Sequence, residues 1–201
     1  MASPTITNSP TDRLADVEQR CAQLGFLVDS IAARQRADPE VSAQAAAILF
    51  HEARLLDAQR YEDWLESWAD DGIWWVPIAH TSPDANAQSL ALDDVRRLRE
   101  RVAWMTDPAA WSQHPATRVV RSVNAVEAWF DGPDRLVASS ALTLSSVRRG
   151  NVRVVAGRQV HEFVVDRSHP LASPFGDLRL RSKVILLIDS EIGQSNPGYL
   201  L

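Results

Sequence analysis

Glu52 sits where a carboxylate is costly. It lies four residues after Ile48, three after Leu49, and three and four before Leu55 and Leu56, inside the apolar stripe of a predicted helix. A carboxylate there must be paired, hydrogen-bonded or protonated. One reading is a cavity acid or base with a raised pKa. The other is a structural carboxylate tied to an arginine or to backbone N–H groups of a sheet, and the abundance of arginine favours it. His51 precedes Glu52, and Asp70 and Asp71 follow at a helix-to-strand junction. An acid–base site could combine them if the fold brought them together; helix termination and turn chemistry explain the aspartates without one.

The five histidines are His51, His80, His114, His161 and His169. Two are followed by a glutamate, but neither pair extends to the His-Glu-x-x-His spacing that puts two metal ligands on one helix face. On a strand, His161 and Glu162 would point to opposite faces. A metal site within this chain is therefore not expected. Cys21 is the single cysteine, which rules out a disulfide framework, a zinc cluster and an iron–sulfur site. The glycines form no phosphate-cradling loop, and neither a Gly-x-Ser-x-Gly elbow nor a basic, aromatic-interleaved surface occurs.

The chain has 201 residues, 45% hydrophobic and 23% charged, which suits one globular core. A net charge of −5 argues against nucleic acid or an anionic membrane as partner. No apolar stretch approaches the ~20 residues of a membrane span, and Met1–Pro10 does not read as a secretory signal. A cytoplasmic location is expected. Lys183 is the only lysine among the basic residues, a bias that reads as compositional. Seven tryptophans supply aromatic mass for cores and interfaces.

Residues 1–11 read as a disordered tail, and 12–38 as a helical extension with Leu14, Val17, Cys21, Leu24, Val28 and Ile31 in one stripe. Pro39 interrupts it. Helices follow over 41–60 and 61–69, then a β-type run over 72–78, a loop over 79–89 and a helix over 92–105. Period-two segments then cover 117–130, 135–148, 151–166 and 178–190, with turn residues in the gaps. Short connectors make these strands antiparallel. The fold class is α+β, a single domain over 40–201 with helices on one side of the sheet. In the last strand Leu178, Leu180, Val184, Leu186 and Ile188 alternate with Arg179, Arg181 and Lys183, which places the lysine on a solvent or partner face. Segment 117–130 carries apolar residues on both faces, so something outside this chain is expected to cover the second one.

The ordered pieces resemble the small β subunits of aromatic-ring-hydroxylating (Rieske non-haem iron) dioxygenases. The carriers are Glu52, Ala53, Leu55, Leu56, Asp57, Trp64, Leu65, Ala69, Asp71 and Pro77, then Asp93, Leu98, Arg101, Val102 and Trp104, then Pro115, Thr117, Arg118 and Asn124, and a final strand over 178–189. The resemblance covers about 44–190 and departs in a short 79–91 loop, in Val95 where arginine is common, and in the N-terminal extension.

The resemblance implies a cone of the nuclear transport factor 2-like (NTF2-like, cystatin-like) type, with helices packed on a strongly curved antiparallel sheet. It implies a non-catalytic subunit, self-associating as a trimer within an α3β3 hetero-oligomer. The large α subunit would hold the Rieske [2Fe-2S] cluster and the mononuclear Fe(II) that dihydroxylates an arene. This chain would hold no cofactor; a Rieske cluster needs two cysteines and two histidines. Trp104, Arg118 and Arg121 are the expected interface residues. The competing reading is a free-standing cone enzyme resembling ketosteroid isomerase or a polyketide cyclase, with Glu52, His51 or Asp71 as acid–base residues; fold alone does not separate the two.

Overall fold

The computed structural model describes residues 10–110, 115–166, 177–191 and 200; most of the expected tail lies outside them, as do His114 and His169. Helix α1 spans Pro10–Ser30 and runs into a 3-10 turn at Ile31–Ala33. Pro39 begins the next helix rather than ending the last: α2 spans Pro39–Asp57, and the Asp38 side chain accepts from the Glu40 and Val41 N–H groups at 2.7 and 3.2 Å. The short α3 is Tyr61–Leu65. Strand β1, Trp68–Pro77, starts four residues earlier than the β-type run suggested. Part of the expected helix over 92–105 is strand β2, Ser89–Asp94, and α4 begins at Val95 because Asp94 caps it, accepting from Arg97 N–H at 2.8 Å. Strands β3 (Arg118–Phe130), β4 (Arg135–Arg148), β5 (Asn151–Val165) and β6 (Leu178–Leu187) match the expected segments closely. The β4–β5 hairpin turns on Arg149 and Gly150, both left-handed at φ 49° and 82°, as a two-residue hairpin loop requires.

The six strands form one sheet in the order β2-β1-β6-β5-β4-β3. Every pairing is antiparallel except β1 with β6, which is parallel and corrects the all-antiparallel expectation. Helices pack on both faces of the sheet. Its inner face packs against α2, α3 and α4 through Leu49, Leu56, Trp64, Leu98, Leu144, Phe163 and Ile185. Its outer face receives α1 through Cys21, Leu24 and Leu27, which meet Trp75, Val137, Val160, Val184 and Leu186.

Two bulges decide which side chains face which way. In β3 the register shifts between Asn124 and Glu127, with Ala125 left-handed at φ 49°. Val119, Arg121 and Val123 point inward before the bulge and Val126 and Ala128 after it, so the mixed pattern of this segment is one strand whose parity flips. The chain's own N-terminal segment covers its Trp129 end: Trp129 Nε1 donates to the Gln35 carbonyl at 2.9 Å. In β6 the pairing skips Arg181, so Leu180 shares the inner face with Lys183, Ile185 and Leu187, while Val184 and Leu186 face outward. The simple alternation expected for this strand fails there.

The extension is fixed by charge as well as by apolar contact. Arg20 on α1 pairs with Glu162, Arg135 reaches both Glu162 (2.7 Å) and Asp131 (3.2 Å), and Asp131 receives Arg34 at 2.8 Å. Alternating charges thus bridge the middle of α1 and the C-terminal part of the extension to the sheet and its β3–β4 turn.

At Gly25, α1 passes so close to the 79–88 loop that a Cβ would lie 2.7 Å from the Pro83 carbonyl oxygen. Alanine normally favours a helix over glycine by ~1 kcal/mol. Here Gly25→Ala is expected to destabilise by about 1–3 kcal/mol, read as a lower urea midpoint; a stabilised variant would show that α1 does not pack there.

Candidate functional site

Glu52 is 3% exposed, and α2 aims it into the middle of the cone. Its Oε1 accepts from Lys183 Nζ and from Trp64 Nε1, both at 3.0 Å, and its Oε2 lies 3.1 Å from His161 Nε2. Lys183 comes from β6 and His161 from β5, where they are register partners. His161 and Glu162 do point to opposite faces, as strand geometry requires: one meets Glu52 inside, the other meets Arg20 and Arg135 outside. The Lys183 placement is a correction. The bulge at Arg181 turns the lysine inward, and it is 2% exposed.

Burial opposes ionisation of Glu52, but the Lys183 ammonium and then His161 outweigh it and hold the carboxyl well below the usual carboxylate range. Burial pulls His161 and Lys183 below their ordinary values, and in both Glu52 opposes the shift. The arrangement these directions support is a Glu52–Lys183 ion pair beside a neutral His161. The imidazole then donates from Nε2, leaving Nδ1 as a buried lone pair without a hydrogen-bond partner. His161 also stacks on Phe163, ring centroids 5.9 Å apart.

The same interior holds a second polar anchor. The Arg121 side chain donates to the Asp57 carboxylate and to the Leu200 carbonyl, and its backbone N–H reaches Asp57 at 3.0 Å. Arg121 is thus turned into its own chain. Trp104 and Arg118 remain exposed. Asp93 is buried against Arg97 and Arg101, and the Arg101 guanidinium lies 5.2 Å above the Trp74 ring.

The three alternative acid–base residues are not gathered into one site. His51 Nδ1 lies 3.0 Å from Arg54 on the exposed side of α2, and Asp71 is an exposed partner of Arg181 at 2.7 Å. Both Glu52 oxygens are bonded, and Leu200 packs into the same core. Neither Glu52 oxygen is left free to act as an acid or base among the described residues. Glu52 is paired, as a carboxylate in an apolar stripe must be, but its partners are a lysine, a histidine and an indole rather than an arginine or backbone. His161 and Lys183 were the residues that sequence reasoning missed; the one usable signal was a lone lysine in a chain whose other basic residues are arginines. Among the described residues no group of three His, Cys, Asp or Glu side chains could hold a metal ion. No helix among them is long and apolar enough to cross a membrane.

The model of a family described as ring hydroxylating beta subunit matches residues 51–194. The chain belongs to that family. The small oxygenase component of a naphthalene 1,2-dioxygenase system from Pseudomonas aeruginosa is 30% identical over 123 residues, 57% of this chain and 64% of the relative. The beta subunit of an N,N-dimethyl phenylurea N-demethylase from Sphingobium sp. (strain YBL2) is 26% identical over 182 residues, 87% of this chain and 99% of that one. A solved structure of naphthalene 1,2-dioxygenase with indole bound in its active site contains a chain of the same fold. Its TM-score is 0.69 at 22% identity, covering 96% of this chain and 95% of that one. The fold is the NTF2-like α+β cone expected of the family. Several of the family-like residues make polar anchors in the structure: Glu52 with Trp64, Asp57 as the partner of Arg121, and Asp93 with Arg101.

Removing one member of a buried ion pair costs about 3–5 kcal/mol. Glu52→Gln and Lys183→Met are each expected to lose that much in urea unfolding, and the double variant to recover part of it. His161 carries a pH signature. Because its folded value is depressed, the unfolded chain gains a proton first; the stability it contributes is full above its ordinary pKa of 6.5 and is lost as pH falls below it. In His161→Gln, the fall in stability between about pH 7 and 5 should flatten; an unchanged slope would mean that His161 does not titrate in this way.

Proposed function

We propose that this chain is the non-catalytic small subunit of an aromatic-ring-hydroxylating oxygenase, a scaffold that assembles with a larger, iron-bearing subunit. The observation that carries this reading is the family match over residues 51–194. The pairing of Glu52 supports it, because both carboxylate oxygens are engaged by Lys183, Trp64 and His161. The iron centres, a Rieske [2Fe-2S] cluster and a mononuclear Fe(II), belong in this reading to the larger subunit. The donor set of this chain does not fit them: Cys21 is its only thiol, and it lies on α1, buried against the sheet. We assign the assembly three copies of each chain, in the cytoplasm.

The surface available for assembly is the part of the outer sheet face that α1 leaves bare. Val120, Ser145 and Val154 form one row across β3, β4 and β5, and Arg118, Val147 and Val152 form the next. Val120, Val152, Val154 and Ile188 are 63%, 75%, 57% and 74% exposed. An apolar strip of this kind on a charged surface is what a subunit contact buries. We assign it to the contact with the larger subunit. Trp104, 45% exposed on α4, is a second candidate contact.

A tagged copy recovered from its native cell should carry an equal amount of a larger, iron-containing chain, seen by native mass spectrometry and metal analysis. Val152→Asp with Val154→Asp should reduce that recovery at least about tenfold, while the isolated chain's stability changes by roughly 0.5 kcal/mol or less. Trp104→Ala with unchanged recovery would remove Trp104 from the contact. A metal-free assembly of this chain alone would overturn the reading.

A further inference from the structure

Between the C-terminal half of α1 with its 3-10 turn and the outer sheet face lies a cleft of about 640 Å³ that the scaffold role does not use. Its volume falls within the range of small-molecule sites. The floor is apolar: Val160 and Leu186 from the sheet, with Val28 and Ile31 on the helical wall. One end is the Trp129 indole, held in place by its bond to the Gln35 carbonyl and by the Arg34 guanidinium 5.3 Å above the ring. Trp129 faces this way only because of the β3 bulge. Without the extra residue at Ala125, which is left-handed at φ 49°, it would point into the cone.

The polar groups differ in how they are engaged. Arg34 is tied to Asp131 at 2.8 Å. Arg158 is not: its Nη2 donates to Ser139 Oγ at 3.3 Å on the floor, and no carboxylate among the described residues pairs with it. Arg36 and His80 add to the basic side of the lining; Asp29 and Glu127 are its carboxylates. Glu127 stands opposite Ser139 in the strand register, outside ion-pair distance of Arg158.

We propose that this cleft is a binding site for a small aromatic carboxylate, its ring on the apolar floor against Trp129 and its carboxylate on Arg158. A guanidinium matches a carboxylate with two parallel N–H donors, and an indole wall over Val160 and Leu186 favours a flat apolar body. Glu127 sits where it would repel the anion, so it limits affinity rather than making it. The site belongs to this chain alone and stands whether or not the assembly proposed above is correct.

Isothermal titration of the full chain, in the oligomeric form in which it purifies, tests this with benzoate as probe and benzamide as its neutral counterpart. Benzoate should bind saturably at one site per chain with a dissociation constant of about 1 mM or tighter, and benzamide at least about tenfold more weakly. Arg158→Gln, at an exposed position, should weaken benzoate by about tenfold or more, and Glu127→Gln should tighten it. Ala32→Trp, which fills the mouth from the exposed side of the turn, should abolish binding. Absence of saturable binding, equal affinity for benzamide, or a benzoate affinity indifferent to Arg158→Gln would each overturn the proposal.

Discussion

The Glu52 carboxylate and the Lys183 ammonium face each other at 3.0 Å in the middle of the cone, and the position of α2 depends on that pair. Neither charge has water to fall back on, so each must be answered by protein groups in a fixed geometry. Lys183 and Trp64 answer one carboxylate oxygen, and His161 the other. Four elements are thereby tied to one point: α2, α3, β5 and β6. Apolar packing would accept α2 at several rotations; the ion pair accepts few. The second anchor, Arg121 with Asp57, acts likewise at the end of the same helix, joining it to β3 and to Leu200.

These anchors occupy the centre of the cone, and this bears directly on function. A cone of this type can hold a substrate when it presents an open chamber and a free acid or base. Here the Glu52 carboxylate is held ionised with both oxygens bonded, so it is not a free acid or base. On the outside, an apolar strip, an exposed tryptophan and a cleft beside α1 are available to other molecules.

The outer face is divided by the N-terminal extension. Apolar side chains of α1 cover the part of the sheet around Val137, Val160 and Val184, and the Arg20–Glu162–Arg135–Asp131–Arg34 chain of charges bridges the extension to the sheet. Beyond Arg158 and Leu186 the cover stops and the apolar strip begins. The extension therefore does more than lengthen the chain: it sets the border between a covered face, a cleft and an open face.

Much of this was legible in one dimension. The α+β order, four of the six strands to within a few residues, the amphipathic extension and the need for a partner at Glu52 all follow from local periodicity and from the cost of a carboxylate in an apolar stripe. So did the family, because its buried anchors occur in order with compatible spacing. The identity of the partners did not follow. Lys183 is 131 residues from Glu52 and His161 is 109 away, and period-two reasoning put the lysine on the wrong face. The reason is physical. Alternation along a strand holds only while the register holds, and the bulges at Ala125 and Arg181 each reverse it. A bulge is a property of how two strands fit together, not of the residues at that position alone. The parallel β1–β6 pairing and the inward turn of Arg121 are of the same kind. The sequence by itself determined the main helices, four of the strands and that a buried carboxylate must be answered; only the tertiary structure decided where β1 and β2 run, which cation answers the carboxylate and which face each side chain meets.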